Sequence, residues 1–150
     1  MLAIGDRAPE FSSVSTRGTT FALSQLRGQP VILYFYPKAR SLGCTREARE
    51  FADHYKELQA RHIEVVGVSV DTLSEQSRFA EECTLPFPLI PDPDKHIARS
   101  YGVLGAFGYA KRVTFFLDEE GRVIDIVQGI MPGPHVARGL QYARTEPKLR

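Results

Sequence analysis

The sequence predicts an α/β domain in which a central mixed β-sheet lies between helices, preceded by an N-terminal β-hairpin. Three observations carry that expectation. Val31–Tyr36 is a continuous apolar and aromatic run and Ile63–Val70 a second, mostly apolar one, the pattern of buried strands. Each run is followed by a segment whose apolar residues recur at three- and four-residue steps, as in a helix packed along one side. Finally, Val113–Leu117 and Val123–Val127 flank the turn signal Asp118-Glu119-Glu120-Gly121, which predicts an antiparallel pair.

Phe11–Leu23 alternates loosely around Arg17-Gly18 and makes the first hairpin. Pro30 and Pro37 bound the first buried strand. After Cys44, one apolar stripe contains Ala48, Phe51, Ala52, Tyr55 and Leu58, while Arg46, Arg49, Asp53, Lys56 and Glu57 fall outside it. The spacing predicts a helix through Leu58. Beyond the second strand, Thr72-Leu73-Ser74-Glu75 has the form of a capping box and opens a helix carrying Phe79, Ala80 and Cys83. Pro86, Pro88, Pro91 and Pro93 then impose an extended, turn-rich passage around Phe87–Ile90. A short helix over Lys95–Tyr101 and a last one from about His135 to Ala143 complete the order.

Composition narrows the class of function. A chain of 150 residues buries roughly 68–70% of its unfolded surface as one domain, without disulfides or metals. Its 19 Lys and Arg balance 18 Asp and Glu, so no global charge draws it to nucleic acid or membrane. Neither a signal-peptide pattern nor an apolar run of membrane-spanning length is present, which makes the cytoplasm the expected location. Two cysteines are too few for a disulfide scaffold; they are redox-active or inert and buried. His54, His62, His96 and His135 have no metal-ligand spacing and read as solvent-facing or satisfied side chains.

Cys44 is the residue with chemical promise. It lies between a buried strand and a helix start, near the centre of the helix's apolar stripe, so its sulfur points inward at a helix N-terminus. Unpaired backbone NH groups and the helix dipole favour an anion there. Pro37, Ser41 and Cys44 stand in the spacing Pro-x-x-x-Ser/Thr-x-x-Cys, which resembles the active-site motif of peroxiredoxins. The resemblance continues through Ala8-Pro9-Glu10-Phe11, Phe35–Lys38, Gly43–Glu47, Leu85–Leu89 and Arg112–Phe115. It is strongest to the bacterioferritin comigratory protein, or peroxiredoxin Q, subfamily.

That resemblance implies a thioredoxin-like fold and a cofactor-free, thiol-dependent reduction of hydrogen peroxide and alkyl hydroperoxides. Cys44 would become a sulfenic acid, and thioredoxin or a similar dithiol protein would restore it, in a monomer or weak homodimer. Arg112 corresponds to the arginine held against thiolate and substrate, and its fixed charge and several donors suit both. Ser41 would offer a hydroxyl, Gly43 and Cys44 their backbone NH groups, and Pro37 would keep water out. Glu47 is placed to orient Arg112, or is only a favourable first-turn acid. Ser41 has the parallel reading of a helix cap, Arg112 that of a surface charge beside Lys111.

Acidity alone cannot supply the rate. Lowering a thiol pKa from about 8.5 to about 6 raises the thiolate fraction at pH 7 about thirtyfold. The accompanying loss of nucleophilicity is roughly tenfold for a Brønsted slope of about 0.45. Donors aimed at the breaking O–O bond must do the rest.

Two departures from the subfamily pattern bear on the second step. Its Thr-Pro-Gly-Cys is Ser41-Leu42-Gly43-Cys44 here, and Arg49 stands where some members have a resolving cysteine. Cys83, in the next predicted helix, is then the candidate resolving thiol, though sharing a face with Phe79 also suits a packed core residue. A Cys44–Cys83 bond needs α-carbons within about 7 Å, so the first turn after Cys44 would unwind. The remaining readings are a one-cysteine peroxidase resolved by an external thiol and a non-enzymatic redox sensor. A Cys-x-x-Cys reductase is disfavoured by Thr45-Arg46-Glu47, and a glutathione-peroxidase-like site by the lack of tryptophan.

Overall fold

The computed structural model describes residues 1–145. The first hairpin pairs β1 (Ser12–Val14) with β2 (Thr20–Ala22) and leads through a 3-10 turn at Leu23–Leu26 into β3 (Val31–Phe35). Next come α1 (Leu42–Asp53), α2 (Tyr55–Ala60), β4 (Glu64–Ser69) and α3 (Leu73–Cys83). β5 (Leu89–Pro91), α4 (His96–Ser100), β6 (Val113–Leu117), β7 (Val123–Gln128) and α5 (Pro132–Thr145) follow. The main sheet has the order β5-β4-β3-β6-β7, with β3, β4 and β5 parallel and β6 and β7 antiparallel to their neighbours. The expected mixed sheet between helices is what forms. Among the described residues, no helix is long and apolar enough to cross a membrane.

Alternation along β3 builds two cores. Val31, Leu33 and Phe35 join Phe11, Phe21, Ile97, Tyr101 and Phe115 on one face. Ile32 and Tyr34, with Tyr36 beyond them, join Phe51, Phe79, Phe87, Phe116 and Tyr142 on the other, and Cys44 belongs to this second core. A strand buried on both faces accounts for the unbroken apolar run.

Three details differ from expectation. α1 begins two residues ahead of Cys44 and stops at Asp53, because the chain turns at His54 before α2. After this turn the Tyr55 hydroxyl donates to Glu64 Oε1 at 2.7 Å. The proline-rich passage contains β5, a short strand that tolerates Pro91 because it lies at the sheet edge. The N-terminal hairpin covers that edge: Thr16 N donates to Leu89 O at 3.1 Å, and Leu89 N to Thr16 Oγ1 at 3.0 Å. The capping box forms as predicted, with Glu75 N donating to Thr72 Oγ1 and Thr72 N to Glu75 Oε1.

Topology positions the site. The register Phe35↔Val113 sets Arg112, one residue ahead of β6, beside the end of β3. The register Val113↔Gln128 brings the chain leaving β7 to the same place. The end of β3, the start of β6 and the end of β7 thus meet where α1 begins.

The second core is tightly filled beneath this junction. A Cβ at Gly67 of β4 would lie 2.7 Å from Leu89 Cδ2 and 2.9 Å from Tyr34 Cζ. Tyr34 cannot move aside easily, since its ring packs on Phe51 at 4.9 Å and on Tyr36 at 5.5 Å. Gly67→Ala is therefore expected to lower stability by about 1–3 kcal/mol through overpacking, although alanine is the better strand residue. Urea denaturation checks this, and an unchanged midpoint would show that Leu89 and Tyr34 yield freely.

Candidate active site

α1 starts at Leu42 because Ser41 caps it. Ser41 Oγ accepts from Cys44 N at 3.4 Å and donates to Lys38 O at 2.9 Å. The loop ahead of it is fixed from below, since Ala39 N donates to Asp71 Oδ2 at 2.7 Å and Ser69 Oγ donates to the same oxygen at 2.6 Å. Gln76 in turn donates to Ser69 Oγ, Ile90 O and the Tyr36 hydroxyl. Cys44 is the third residue of the helix, 1% exposed. Its position lets the dipole and free NH groups of the first turn act on the sulfur.

Arg112 is the centre of the arrangement. Nη2 donates to Cys44 Sγ at 3.4 Å, Nε donates to Ile130 O at 2.9 Å, and Nη1 forms a very short ion pair with Glu47 Oε1. All three partners hold one planar fork, so the guanidinium has no freedom to turn away. Burial opposes its charge, but Glu47 and Cys44 outweigh that effect and hold its pKa above the ordinary value. Burial pushes the Glu47 carboxyl up to about 7, with Arg112 pulling the other way. Glu47 Oε2 and the Tyr34 hydroxyl have no hydrogen-bond partner among the described residues.

Behind this pair lies His135, fully buried, with Nδ1 2.7 Å from Thr114 Oγ1 and Nε2 2.8 Å from Gly129 O. Its Nδ1 is 4.0 Å from Glu47 Oε2. Burial, with Arg112 nearby, lowers its pKa below the ordinary 6.5. As a satisfied side chain it fits the sequence reading, but nothing in the sequence placed it next to Arg112.

The predicted residues therefore come together in part. Cys44, Arg112 and Glu47 make one buried contact chain, and Gly43 adjoins it. Pro37 and Arg112 line a hollow of ≈ 270 Å³ with Lys111, Val113, Gln128, Gly129 and Ile130. A larger one of ≈ 440 Å³ borders Ser41 but neither Cys44 nor Arg112. Ser41 acts as the cap, its proton directed at Lys38 O. Cys83 stands apart at the last position of α3, half-buried at the margin of the second core, and both thiols are free. Asp71 and Gln76, which fix the loop, escaped the sequence reading; the acidic residue closely following β4 was the available signal.

Gly43 explains itself by close approach. A Cβ there would stand 3.0 Å from Arg112 Nη2, the nitrogen that reaches the sulfur. Gly43→Ala should raise helix propensity yet push the fork off Cys44. Expected is peroxide oxidation of Cys44 slowed about tenfold, equivalent to about 1.4 kcal/mol of transition-state stabilisation, with stability unchanged or higher. Stopped-flow oxidation beside thermal unfolding tests this, and a parental rate would mean that the fork tolerates displacement.

Comparison with known proteins gives a consistent picture. The AhpC/TSA family model matches residues 4–126. Peroxiredoxin Bcp of Bacillus subtilis is 34% identical over 147 residues, covering 93% of this chain and 94% of that protein. The crystal structure of peroxidoxin BcpB from Mycobacterium tuberculosis superposes with a TM-score of 0.90 at 33% identity, covering 97% of this chain and 98% of that one. The bacterioferritin comigratory protein of Xanthomonas campestris, studied for its alkyl peroxide reduction activity, gives a TM-score of 0.84 at 25% identity, with 91% of each chain covered. The thioredoxin-like architecture expected from the motif is thus the one these neighbours share, and the chain belongs to the AhpC/TSA family as a Bcp-type peroxiredoxin, a thiol-dependent peroxidase.

Proposed function

We propose that this chain, acting as one cytoplasmic domain, reduces hydrogen peroxide and alkyl hydroperoxides at Cys44 and resolves the product with Cys83. The observation that carries the first step is Arg112 Nη2 at 3.4 Å from Cys44 Sγ. The thiolate attacks one peroxide oxygen, the O–O bond breaks, and the departing oxygen leaves with the electron pair and takes a proton to become water or an alcohol. Cys44 is left as a sulfenic acid. Arg112 and the NH groups of Gly43 and Cys44 stabilise charge as it moves from sulfur to oxygen. Pro37 walls the hollow beside Arg112, and Ser41 joins in when its hydroxyl rotates from Lys38 O towards the substrate. Glu47 orients Arg112.

In the second step Cys83 sulfur attacks Cys44 sulfur, releasing water and leaving a disulfide. Thioredoxin or a similar dithiol protein then reduces that bond by exchange. Three features support Cys83 in this role. Arg40, four residues ahead of Cys44, binds Glu82, the neighbour of Cys83, through Nε to Oε1 at 2.9 Å. The loop before one cysteine is therefore already tied to the helix end that carries the other. Thr84, directly after Cys83, is a β-branched residue at φ 51°, ψ 51°, so the last turn of α3 ends in a strained left-handed cap. Leu42, almost fully exposed at the first helical position, lacks the restraint proline would give there. Both ends that must unwind are the weaker for it. A monomer or weak homodimer suffices for this cycle.

Cys44→Ser is expected to keep the fold and abolish peroxide consumption, because a hydroxyl is scarcely ionised at neutral pH. Retained turnover with thioredoxin as reductant would place the chemistry elsewhere. Cys83→Ser should preserve the first fast oxidation of Cys44 while losing thioredoxin-supported turnover; loss of the initial burst contradicts the division of roles.

Non-reducing peptide mapping after one equivalent of peroxide should yield linked Cys44 and Cys83 peptides from the monomer. The contrary result is a stable sulfenic acid on Cys44 with Cys83 still open to alkylation. That outcome makes the chain a one-cysteine peroxidase resolved by an external thiol.

A further inference from the structure

Arg112 depends on a support that itself needs support. Its Nε bonds Ile130 O at 2.9 Å, and Ile130 lies in the short connection between β7 and α5. That connection is tied back by Gly129, whose N donates to Arg112 O at 3.3 Å and whose O meets His135 Nε2 at 2.8 Å. A carbonyl oxygen only accepts, so Nε2 carries the hydrogen. Burial and the Arg112 charge, against the pull of the Gly129 hydrogen bond, lower the imidazole's pKa and so favour the singly protonated ring. Nδ1 is then a lone pair, and Thr114 Oγ1 at 2.7 Å must be its donor.

The tautomer is thus fixed from both sides. Thr114 lies two residues along β6 from Arg112, so one imidazole joins α5, β6 and the β7–α5 connection. The tautomer also matters for Glu47. Nδ1 faces Glu47 Oε2 at 4.0 Å with a lone pair and not a proton, so the ring offers that carboxylate no hydrogen bond and leaves it to Arg112.

We propose that His135 is a positioning residue for the peroxide reaction, acting through the Gly129 carbonyl and the Ile130 carbonyl to hold the Arg112 guanidinium on Cys44. The inference rests on the reading of Arg112 given above. His135 itself touches neither the sulfur nor the substrate. Its effect on rate must therefore pass through Arg112 and vanish when Arg112 is gone, whereas a merely structural role would persist.

The test is a double-mutant cycle on the second-order rate of Cys44 oxidation by hydrogen peroxide, at a pH where the thiol is fully ionised. Expected is a loss of about tenfold in His135→Leu and of no more than about threefold in His135→Gln, whose amide nitrogen can still donate to Gly129 O. In the Arg112→Ala background, His135→Leu should have no further effect. A parental rate in His135→Leu, or its full slowing retained on top of a slow Arg112→Ala, overturns the role of His135 alone. A parental rate in Arg112→Ala overturns the reading of Arg112 and this inference with it. Should His135→Leu fail to fold, Thr114→Val removes the donor to Nδ1 and is read in the same cycle: a smaller loss is expected, absent without Arg112, and no loss or an additive one overturns the proposal.

Discussion

The structure depends on one buried cation. Arg112 stands at the junction of β3, β6 and β7, and three groups of different kinds claim its fork: the Cys44 sulfur, the Glu47 carboxylate and the Ile130 carbonyl. Two of them come from α1 and the third from the β7–α5 connection, so the guanidinium also cross-links α1 to the open end of the sheet. Such a group is expensive to bury. Removing one member of a buried ion pair costs about 3–5 kcal/mol, mostly for the charge left behind. The value of this arrangement lies less in stability than in aim.

Aim is what the chemistry needs. Ionising a thiol more fully gains little overall, since a weaker base is also a poorer nucleophile. A donor that is already in place as charge passes from sulfur to oxygen requires no reorganisation at the moment of reaction. The aromatic packing under α1, with Tyr34 between Tyr36 and Phe51, provides the rigid floor on which that geometry rests. Against this rigid floor, the proposed resolution by Cys83 demands movement. The exposed Leu42 and the left-handed Thr84 put weak points at the two helix ends that carry the cysteines. In the proposed cycle, rigidity for oxidation and local unfolding for resolution are thus separated by a few residues.

Much of this was legible in the sequence. Strands buried on both faces announce themselves as apolar runs, and the Thr72–Glu75 cap is written in four consecutive residues. Cys44, Ser41, Pro37 and Arg112 stand in a motif, so resemblance found them. What stayed hidden is long-range. β5 is masked by its prolines and exists only because a neighbouring strand presents an edge. His135 gave no signal, because its importance comes from Thr114 and Gly129, 21 and 6 residues away along the chain. The ties from Asp71 to Ala39 and from Arg40 to Glu82 are invisible for the same reason. Cys83 was readable as the candidate resolving thiol, but the proposed disulfide depends on a distance after movement, which no sequence pattern carries.

In the proposed function Arg112 stabilises the transition state and not only the thiolate. The most direct measurement is the rate of Cys44 oxidation by hydrogen peroxide in Arg112→Ala and in the parent, each at a pH where its thiol is fully ionised. Losing a charged hydrogen bond worth about 1.5–3 kcal/mol predicts a rate about 10- to 150-fold lower in the variant. Equal rates at full ionisation would contradict that role and leave Arg112 acting on acidity alone.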